Sequence, residues 1–181
     1  MPEFISMIRG INVSGQKLIK MTELQNMFEG LNFKNVKTYI QSGNVLFDDK
    51  NKNTSTLSKK IEKKIRERFG FDVSVVTITG SELKMVIDKN PFKKRKEVDE
   101  GKLYVTFLSG IPDPVLKNKM TEVDFSPEEF IIDNGIVYLY VPNGLGKAKL
   151  NNNYFESKLK VKGTTRNWNT VNVLYELSEK K

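Results

Sequence analysis

The sequence contains no cysteine and no histidine. The first absence excludes disulfides and thiolate nucleophiles, and the second excludes a Ser-His-Asp triad and imidazole ligands for a metal. Any chemistry would therefore come from carboxylate, amine, guanidinium, phenol or hydroxyl groups, and any metal would be a hard cation bound by oxygen, such as Mg²⁺. No residue set marks a reaction, so the catalytic residues stay unknown, and we expect neither a cofactor nor a metal site.

Long apolar runs are also missing. No stretch approaches the roughly 20 apolar residues that span a bilayer, and Met1-Pro2-Glu3 does not open a signal peptide. We therefore predict a cytoplasmic protein with no membrane partner. The sequence leaves the oligomeric state open, with a monomer favoured.

Positive charge is in excess, because 30 Lys and Arg residues face 22 Asp and Glu residues and give a formal net charge of +8. A basic protein attracts anionic partners through its long-range field. An anionic ligand or a nucleic acid is therefore a possible partner. At 181 residues with 38% hydrophobic content, the chain can build one elongated domain or two small ones.

Apolar residues of the first half switch between strand and helix periods in the order βαββαβ. Thr22 followed by Gln25 predicts a capping box at the start of the first helix. The segment 41–44 predicts a hairpin between two strands, and Ser81 is predicted to cap one more helix, which ends before Pro91. The predicted elements are strands at 4–8, 36–40, 45–47 and 73–78, and helices from residue 22, at 54–70 and from residue 81.

The second half repeats this order as βαββα with a terminal helix, and Asn134-Gly135 between apolar runs is a strong hairpin signal. We therefore predict an α+β fold of two ferredoxin-like (split βαβ) halves with antiparallel sheets and packed helices. The predicted domains are residues 1–90 with a connecting helix, a charged linker at 91–101, and residues 102–181. The predicted elements of the second half are strands at 103–108, 130–132 and 136–141, and helices at 114–120, through 154–159 and through 168–177.

The segment from Gly10 to Lys17 joins a strand to a helix and matches a phosphate-binding P-loop in outline only. A P-loop reads G-x-x-x-x-G-K-[ST] and runs directly into a helix. Here Gln16 occupies the lysine position, and Leu18 replaces the hydroxyl that binds Mg²⁺. Nucleoside-triphosphate hydrolysis is therefore disfavoured. Arg9 and Lys17 still flank N–H groups that could bind an anion, or else the glycines only make turns.

The segment from Lys158 to Thr170 combines cations, hydroxyls, amides and the only tryptophan. Arg166 can hold a phosphate or a carboxylate while the Trp168 indole stacks on a base or a sugar. The alternative is that Thr165 caps the last helix and Trp168 packs in the core.

Two further cationic clusters, the helix face from Lys59 to Arg68 and the segment 89–96, could follow a nucleic-acid backbone. The helix also carries Glu62 and Glu67, as an ordinary solvated face does. The first and third strands lack the paired aromatic residues of an RNA-recognition motif. Asp48-Asp49 could bind Mg²⁺, although adjacent aspartates after a strand are more often part of a loop.

Three stretches, FISMIRGINVSGQKLIKM, TYIQSGNVLF and GTTRNWNTVNVL, resemble family 1697 of the bacterial domains of unknown function. The resemblance covers essentially the whole chain and implies a cytosolic bacterial protein with a duplicated ferredoxin-like arrangement, but no activity. Ser14 departs from the glycine that many members carry. The polar residues that the resemblance marks are Arg9, Gly10, Asn12, Gly15, Lys17, Ser42, Gly43, Asn44, Lys149, Lys158, Thr164, Thr165, Arg166, Asn167 and Trp168.

Marked polar residues on loops indicate a site rather than a core. The working hypothesis is a polar cleft between the halves that binds a phosphate-bearing ligand, either a nucleotide or a nucleic acid. One alternative is an enzyme acting on a small anionic metabolite, with Lys17 or Lys158 as base or Tyr39 as acid. Another is a structural or regulatory interaction protein. The predicted ligand-binding residues are Arg9, Gly10, Asn12, Gly15, Lys17, Asn44, Lys149, Lys158, Arg166, Asn167 and Trp168.

Overall fold

The computed structural model describes residues 3–180, and Met1, Pro2 and Lys181 lie outside the described residues. The chain folds into two compact units. The first unit takes in the described residues up to Met85 and those from Asn172 onward, and the second is Val86–Val171. The limits predicted from the sequence, at residues 90, 91–101 and 102, stay a prediction.

Within residues 3–180, each half of the chain forms seven β-strands and α-helices in the same order. The first seven are β1 (Phe4–Ile8), α1 (Met21–Gly30), β2 (Lys34–Tyr39), β3 (Asn44–Asp48), α2 (Thr54–Phe69), β4 (Val75–Thr79) and α3 (Gly80–Lys89). The next seven are β5 (Leu103–Leu108), α4 (Pro114–Thr121), β6 (Glu129–Asp133), β7 (Ile136–Tyr140), α5 (Asn152–Leu159), β8 (Gly163–Asn167) and α6 (Trp168–Glu179).

Each half contributes one four-stranded sheet, with the order β2-β3-β1-β4 in the first and β6-β7-β5-β8 in the second. All neighbouring strands run antiparallel. This is the split βαβ arrangement, in which the first and third strands lie side by side at the centre. The predicted α+β fold of two ferredoxin-like halves is confirmed.

An apolar stripe on α2 shows why the helix forms where the period predicts it. Leu57, Ile61 and Ile65 recur every four residues and are fully buried in the core of the first unit. Asn53 caps the helix by accepting a hydrogen bond from the N–H of Thr56, and Gly70 ends it in the left-handed region.

Two predicted helix caps are wrong. The first helix begins at Met21, and its N-cap residue, Lys20, makes no side-chain cap bond. The predicted Thr22–Gln25 box therefore falls inside the first turn, where it cannot cap. The third helix is capped by Thr79 rather than Ser81, because Thr79 and Glu82 each accept a hydrogen bond from the other's backbone N–H, at 3.2 and 2.7 Å.

The strand β8 is absent from the predicted βαββα order of the second half. Its sequence, GTTRN, carries no large apolar residue, so the pattern resembles a polar loop. Pairing with β5 nevertheless buries Thr164 and Arg166. The cap of the following helix is Asn167, whose side chain accepts from the N–H of Thr170 at 2.8 Å, and not Thr165.

The charged segment between α3 and β5 is part of the second unit and contacts other residues of that unit. Asn90 and Phe92 are buried, and the Asn90 side chain accepts a hydrogen bond from the Phe92 N–H at 3.0 Å. The Arg95 guanidinium forms a bidentate pair with Glu129, at 2.8 and 3.1 Å. Lys93 and Lys94 remain exposed.

Each sheet also contains a hydroxyl–hydroxyl contact between its central strand and an edge strand, at corresponding positions. In the first, Ser6 pairs with Thr77, and at the same place relative to the end of the central strand Thr106 pairs with Thr165. Both pairs join their hydroxyl oxygens at 2.7 Å. The halves therefore correspond residue by residue along these strands.

Candidate functional site

Three loops meet at one edge of the first sheet, where β1 and β2 end and β3 and β4 begin. They comprise residues 9–20, 40–43 and 70–74, and we call them together the loop edge. Backbone hydrogen bonds continue the sheet into these loops, because the N–H of Ile8 donates to Gly43 at 2.8 Å and that of Arg9 donates to Ser74 at 2.9 Å. The sheet thus fixes where each loop starts.

Asn12 ties two of the loops together. Its side-chain amide donates to the carbonyls of Ile19 and Gln41, each at 2.9 Å, and its Oδ1 accepts from the N–H of Ile19 at 2.8 Å. The backbone of Asn12 is in the left-handed region, with φ of 56°. Asparagine tolerates this conformation better than most residues, so one residue supplies both the turn and the brace.

Lys17 connects the same loop to the third. Its ammonium donates to the carbonyl of Asp72 at 2.7 Å, and its own carbonyl accepts from the N–H of Asn12 at 3.2 Å. Its φ of 47° is again left-handed. The lysine therefore stabilises the loop edge from within, in addition to placing a positive charge there.

A tight turn projects from the braced loop at Val13–Gln16. The N–H of Gln16 donates to Val13 at 2.9 Å, and the central residues Ser14 and Gly15 have φ of 50° and 70°. Positive φ at both central positions is the type I′ turn. Within residues 3–180, the N–H groups of Ser14 and Gly15 donate to no protein acceptor. These groups are therefore available to solvent or to a ligand.

The hairpin loop holds further strained and buried residues. Ile40 has φ of 49° and is 48% exposed, although a β-branched residue is rarely found in this region. Gly43 has φ of +81°, and a Cβ there would lie 2.8 Å from Cδ1 of Ile11. Asn44 is fully buried, and its amide donates to the Tyr39 carbonyl at 3.2 Å.

The structure thus brings together the predicted site residues of the first unit. Arg9, Gly10, Asn12, Gly15 and Lys17 lie on one loop, and Asn44 opens the strand beside it. Gly10 also has positive φ, 68°. Arg9 is half-buried.

Three of the predicted residues in the second unit are consecutive, at the junction of β8 and α6. The Arg166 guanidinium is buried and donates to Thr164 Oγ1 at 2.7 Å and to the Thr165 carbonyl at 3.0 Å. Burial lowers the pKa of Arg166 to about 10. Asn167 caps α6, and Trp168 is 4% exposed, so little of its ring surface is open to a stacking base.

The two predicted lysines of the second unit are exposed and lie apart in the sequence. Lys158 is on α5 with its ammonium 5.7 Å from the centre of the Tyr154 ring. The backbone N–H of Lys149 donates to Glu128 at 3.0 Å. That these residues and Arg166 join the loop edge in one ligand site stays a prediction.

The aspartates considered for Mg²⁺ serve local structure. The Asp48 carboxylate accepts from the N–H of Glu3 and from the Asn35 amide, both at 2.7 Å. Across residues 3–180, no group of three or more acidic side chains could hold a metal ion. In the same part of the chain, no helix has the length and apolar character needed to cross a bilayer.

A family model described as Protein of unknown function (DUF1697) matches residues 1–138. The chain belongs to this family. No curated protein matches it. A solved structure titled as that of conserved bacterial protein SP0830 from Streptococcus pneumoniae shares 17% identity with it, covers 98% of both chains and has a TM-score of 0.71. At this identity the likeness concerns the fold, and neither comparison carries an activity.

Sequence patterns did not indicate two parts of the loop edge in this DUF1697 protein. The acceptors of Asn12 and Lys17 are backbone carbonyls of Gln41 and Asp72. Because every residue has a carbonyl, no residue type marks such an acceptor. The left-handed backbone of Ile40 could not be predicted either, because isoleucine favours extended strands.

Proposed function

We propose that this DUF1697 protein binds a phosphate-bearing ligand, a nucleotide or a nucleic acid, at the loop edge of its first unit. The observation that carries the proposal is the braced Val13–Gln16 turn. The N–H groups of Ser14 and Gly15, which donate to no protein acceptor within residues 3–180, lie on the same loop as the cations Arg9 and Lys17. Backbone N–H groups on a turn, supported by positive side chains, are a common anion-binding arrangement.

Bracing of the loop supports the proposal on energetic grounds. Asn12 and Lys17 hold the turn through four side-chain hydrogen bonds to backbone groups, those to Ile19, Gln41 and Asp72. A loop that is already ordered loses less conformational entropy when a ligand binds. Strained φ values such as that of Ile40 concentrate where structure serves binding.

The second unit offers an internal reference for the same edge. There the loop after the central strand is only residues 109–113, and the hairpin turn is Asn134-Gly135. Since the same fold closes with these short connections, the longer loops of the first unit exceed what the fold requires. Extra loop length on a rigid frame is where binding residues concentrate.

The test is a thermal-shift series with inorganic tripolyphosphate and with nucleoside mono-, di- and triphosphates. Binding to the folded state raises Tm in proportion to the logarithm of ligand excess over Kd. We expect a rise for the native protein, and a smaller one for Arg9→Gln, which removes a loop-edge charge. The matched control is Lys119→Gln, which removes one exposed charge from the second unit. Equal shifts for the two variants, or no shift for the native protein, would refute the proposal.

A structural role for the loop edge is the second candidate, because Asn12 is bonded to two loops at once. If this role is the whole function, Arg9→Gln should lower the Tm of the free protein, and no phosphate compound should raise the Tm of either protein. The ligand proposal instead requires a phosphate-dependent difference between native protein and variant.

A further inference from the structure

We propose that α2 of the first unit binds the sugar–phosphate backbone of a double-stranded nucleic acid. A groove of about 240 Å³ runs between α2 and the loop before β4. Its cations, Lys59, Lys63 and Arg66, succeed one another along one side of the helix. The other lining residues are Glu62, Asp72 and Val73.

The groove adjoins the loop edge through Asp72. The Arg66 guanidinium pairs with the Asp72 carboxylate, while Lys17 donates to the Asp72 carbonyl. The proposed duplex binding by α2 rests on the proposed function of the loop edge, because both surfaces would contact the same polyanion. A free nucleotide can occupy the loop edge alone, whereas a duplex would extend onto α2.

The acidic residues of the groove already have partners. Glu62 accepts a hydrogen bond from the Val75 N–H at 2.8 Å, and Asp72 is paired with Arg66. Lys63 is 79% exposed and lies 3.9 Å from Glu67, a distance at which an exposed ion pair contributes little. The lysine charges therefore remain available to an incoming phosphate.

The second unit shows that the fold does not need these lysines. Glu156 on α5 accepts from the Gly163 N–H at 2.9 Å, just as Glu62 accepts from Val75, so the two glutamates correspond. Arg66 has a cationic counterpart in Lys160. Counted from the glutamates, two lysines of the first unit have uncharged counterparts in the second, Asn153 for Lys59 and Ser157 for Lys63.

Helix geometry matches the spacing of duplex phosphates. At about 1.5 Å per residue, Lys59 and Lys63 lie about 6 Å apart along the axis. Consecutive phosphates of one duplex strand are separated by an axial rise of about 3.4 Å together with the turn of the strand about the axis, so the two lysines can reach neighbouring phosphates.

No aromatic ring is among the residues that line the groove. Single strands are held largely by stacking of bases on aromatic side chains. A surface with exposed cations and no aromatic ring therefore favours a duplex, whose bases are turned inward and whose phosphates are outside.

The test replaces the two lysines by the residues of the second unit, as Lys59→Asn with Lys63→Ser. The matched control, Lys119→Asn with Lys147→Ser, removes the same charge from exposed positions of the second unit. Binding to a short fluorescent DNA duplex of mixed sequence is measured by anisotropy across a salt series. We expect the groove variant to bind roughly tenfold more weakly at low salt and the slope of log K against log salt to fall by about 2. The control should bind like the native protein, and all three should share one Tm.

Three outcomes would overturn the inference. They are equal losses in the groove variant and the control, tighter binding of the corresponding single strand than of the duplex, or a groove variant that loses binding to anionic phosphatidylserine vesicles while its duplex binding is unchanged.

The Arg9→Gln variant distinguishes failure of this inference from failure of the proposed function. If Arg9→Gln weakens tripolyphosphate binding while the groove variant binds duplex normally, only the inference fails. If the groove variant loses duplex binding while Arg9→Gln changes neither ligand, only the loop-edge proposal fails.

Discussion

The two sheets of this chain have the same strand order, the same antiparallel pairing and the same hydroxyl pair between a central and an edge strand. They differ at the ends of the strands. The first unit has long loops with left-handed residues after β1 and in its hairpin, and the second closes the same connections with residues 109–113 and a two-residue turn. What both units share is needed by the fold, and what only one has is a candidate for function.

The same comparison applies inside the strands. Leu46 of the first unit corresponds to Tyr138 of the second, because each pairs with the fourth residue from the end of a central strand. That residue is Ile5 in β1 and Val105 in β5. Asn44 likewise corresponds to Ile136. The first unit therefore has a polar side chain, that of Asn44, at the strand end beside its loop edge. The second unit has one further along the corresponding strand, where the Tyr138 hydroxyl donates to the Val86 carbonyl at 3.0 Å.

The largest difference is expected between the two hairpin glycines. Gly43→Ala places a Cβ against Ile11 at a positive φ, whereas Gly135→Ala meets its nearest atom at 3.6 Å, an ordinary contact. We expect Gly43→Ala to lower the free energy of unfolding by about 2–4 kcal/mol and Gly135→Ala to lower it by less than about 1 kcal/mol. Urea unfolding of both variants measures this. Similar losses would contradict the difference between the two hairpins.

Removal of the Asn12 brace should have the next largest effect. Asn12→Gly keeps the left-handed backbone accessible and deletes three hydrogen bonds, while the added freedom of the unfolded chain contributes a smaller part of the loss. We expect a loss of about 1–3 kcal/mol in the free energy of unfolding. Hydrogen exchange should show faster exchange in the loop edge and unchanged exchange in the strands of the second unit. Unchanged stability would mean that the loop is held by something else.

The sequence predicted most elements of both halves because their apolar periods are strong, as in α2, where Leu57, Ile61 and Ile65 all reach the core. It failed where a polar strand is completed by its partner, as in β8. It also failed at helix starts, because Thr22 and Ser81 are residue types that cap helices but lie two residues beyond the observed cap positions, Lys20 and Thr79. The sequence could not predict the loop contacts whose acceptors are backbone carbonyls, because every residue has such a carbonyl.

The contribution of Tyr138 to the free energy of unfolding should depend on pH, unlike that of Leu46 at the corresponding position. Burial, with a smaller contribution from the Asp133 charge, raises the pKa of Tyr138 to about 12, while an unfolded tyrosine titrates near about 10. Since the folded state holds its proton more tightly, this stabilisation is complete below about pH 10 and is lost as pH rises toward 12. Tyr138→Phe should lower the free energy of unfolding by about 1 kcal/mol near neutral pH.

The Tyr138→Phe difference should shrink above about pH 10, where the unfolded native chain releases a proton that the folded chain retains. Urea unfolding at neutral pH and at about pH 11 measures the change. Leu46→Ile, a substitution without a titratable group at the corresponding position, is the control and should show no such trend. A difference for Tyr138→Phe that stays constant with pH would contradict the buried hydroxyl.

The smallest effect is expected at Ser14, which has a left-handed φ of 50° in the turn. Ser14→Gly relieves the strain of a side chain at that angle but increases the freedom of the unfolded chain. The two effects nearly cancel, and we expect a gain of about 0–1 kcal/mol. Thermal unfolding measures it. A clear loss would show that the serine hydroxyl has a role of its own.

The single tryptophan makes the chain its own optical probe. Trp168 is nearly inaccessible to water, so its fluorescence should shift to the red when its surroundings open. Because it begins α6 directly after β8, that signal follows the junction of these two elements and not the loop edge. Circular dichroism follows the helices of both units, and a transition seen at the same denaturant concentration by both methods would indicate that the units unfold as one.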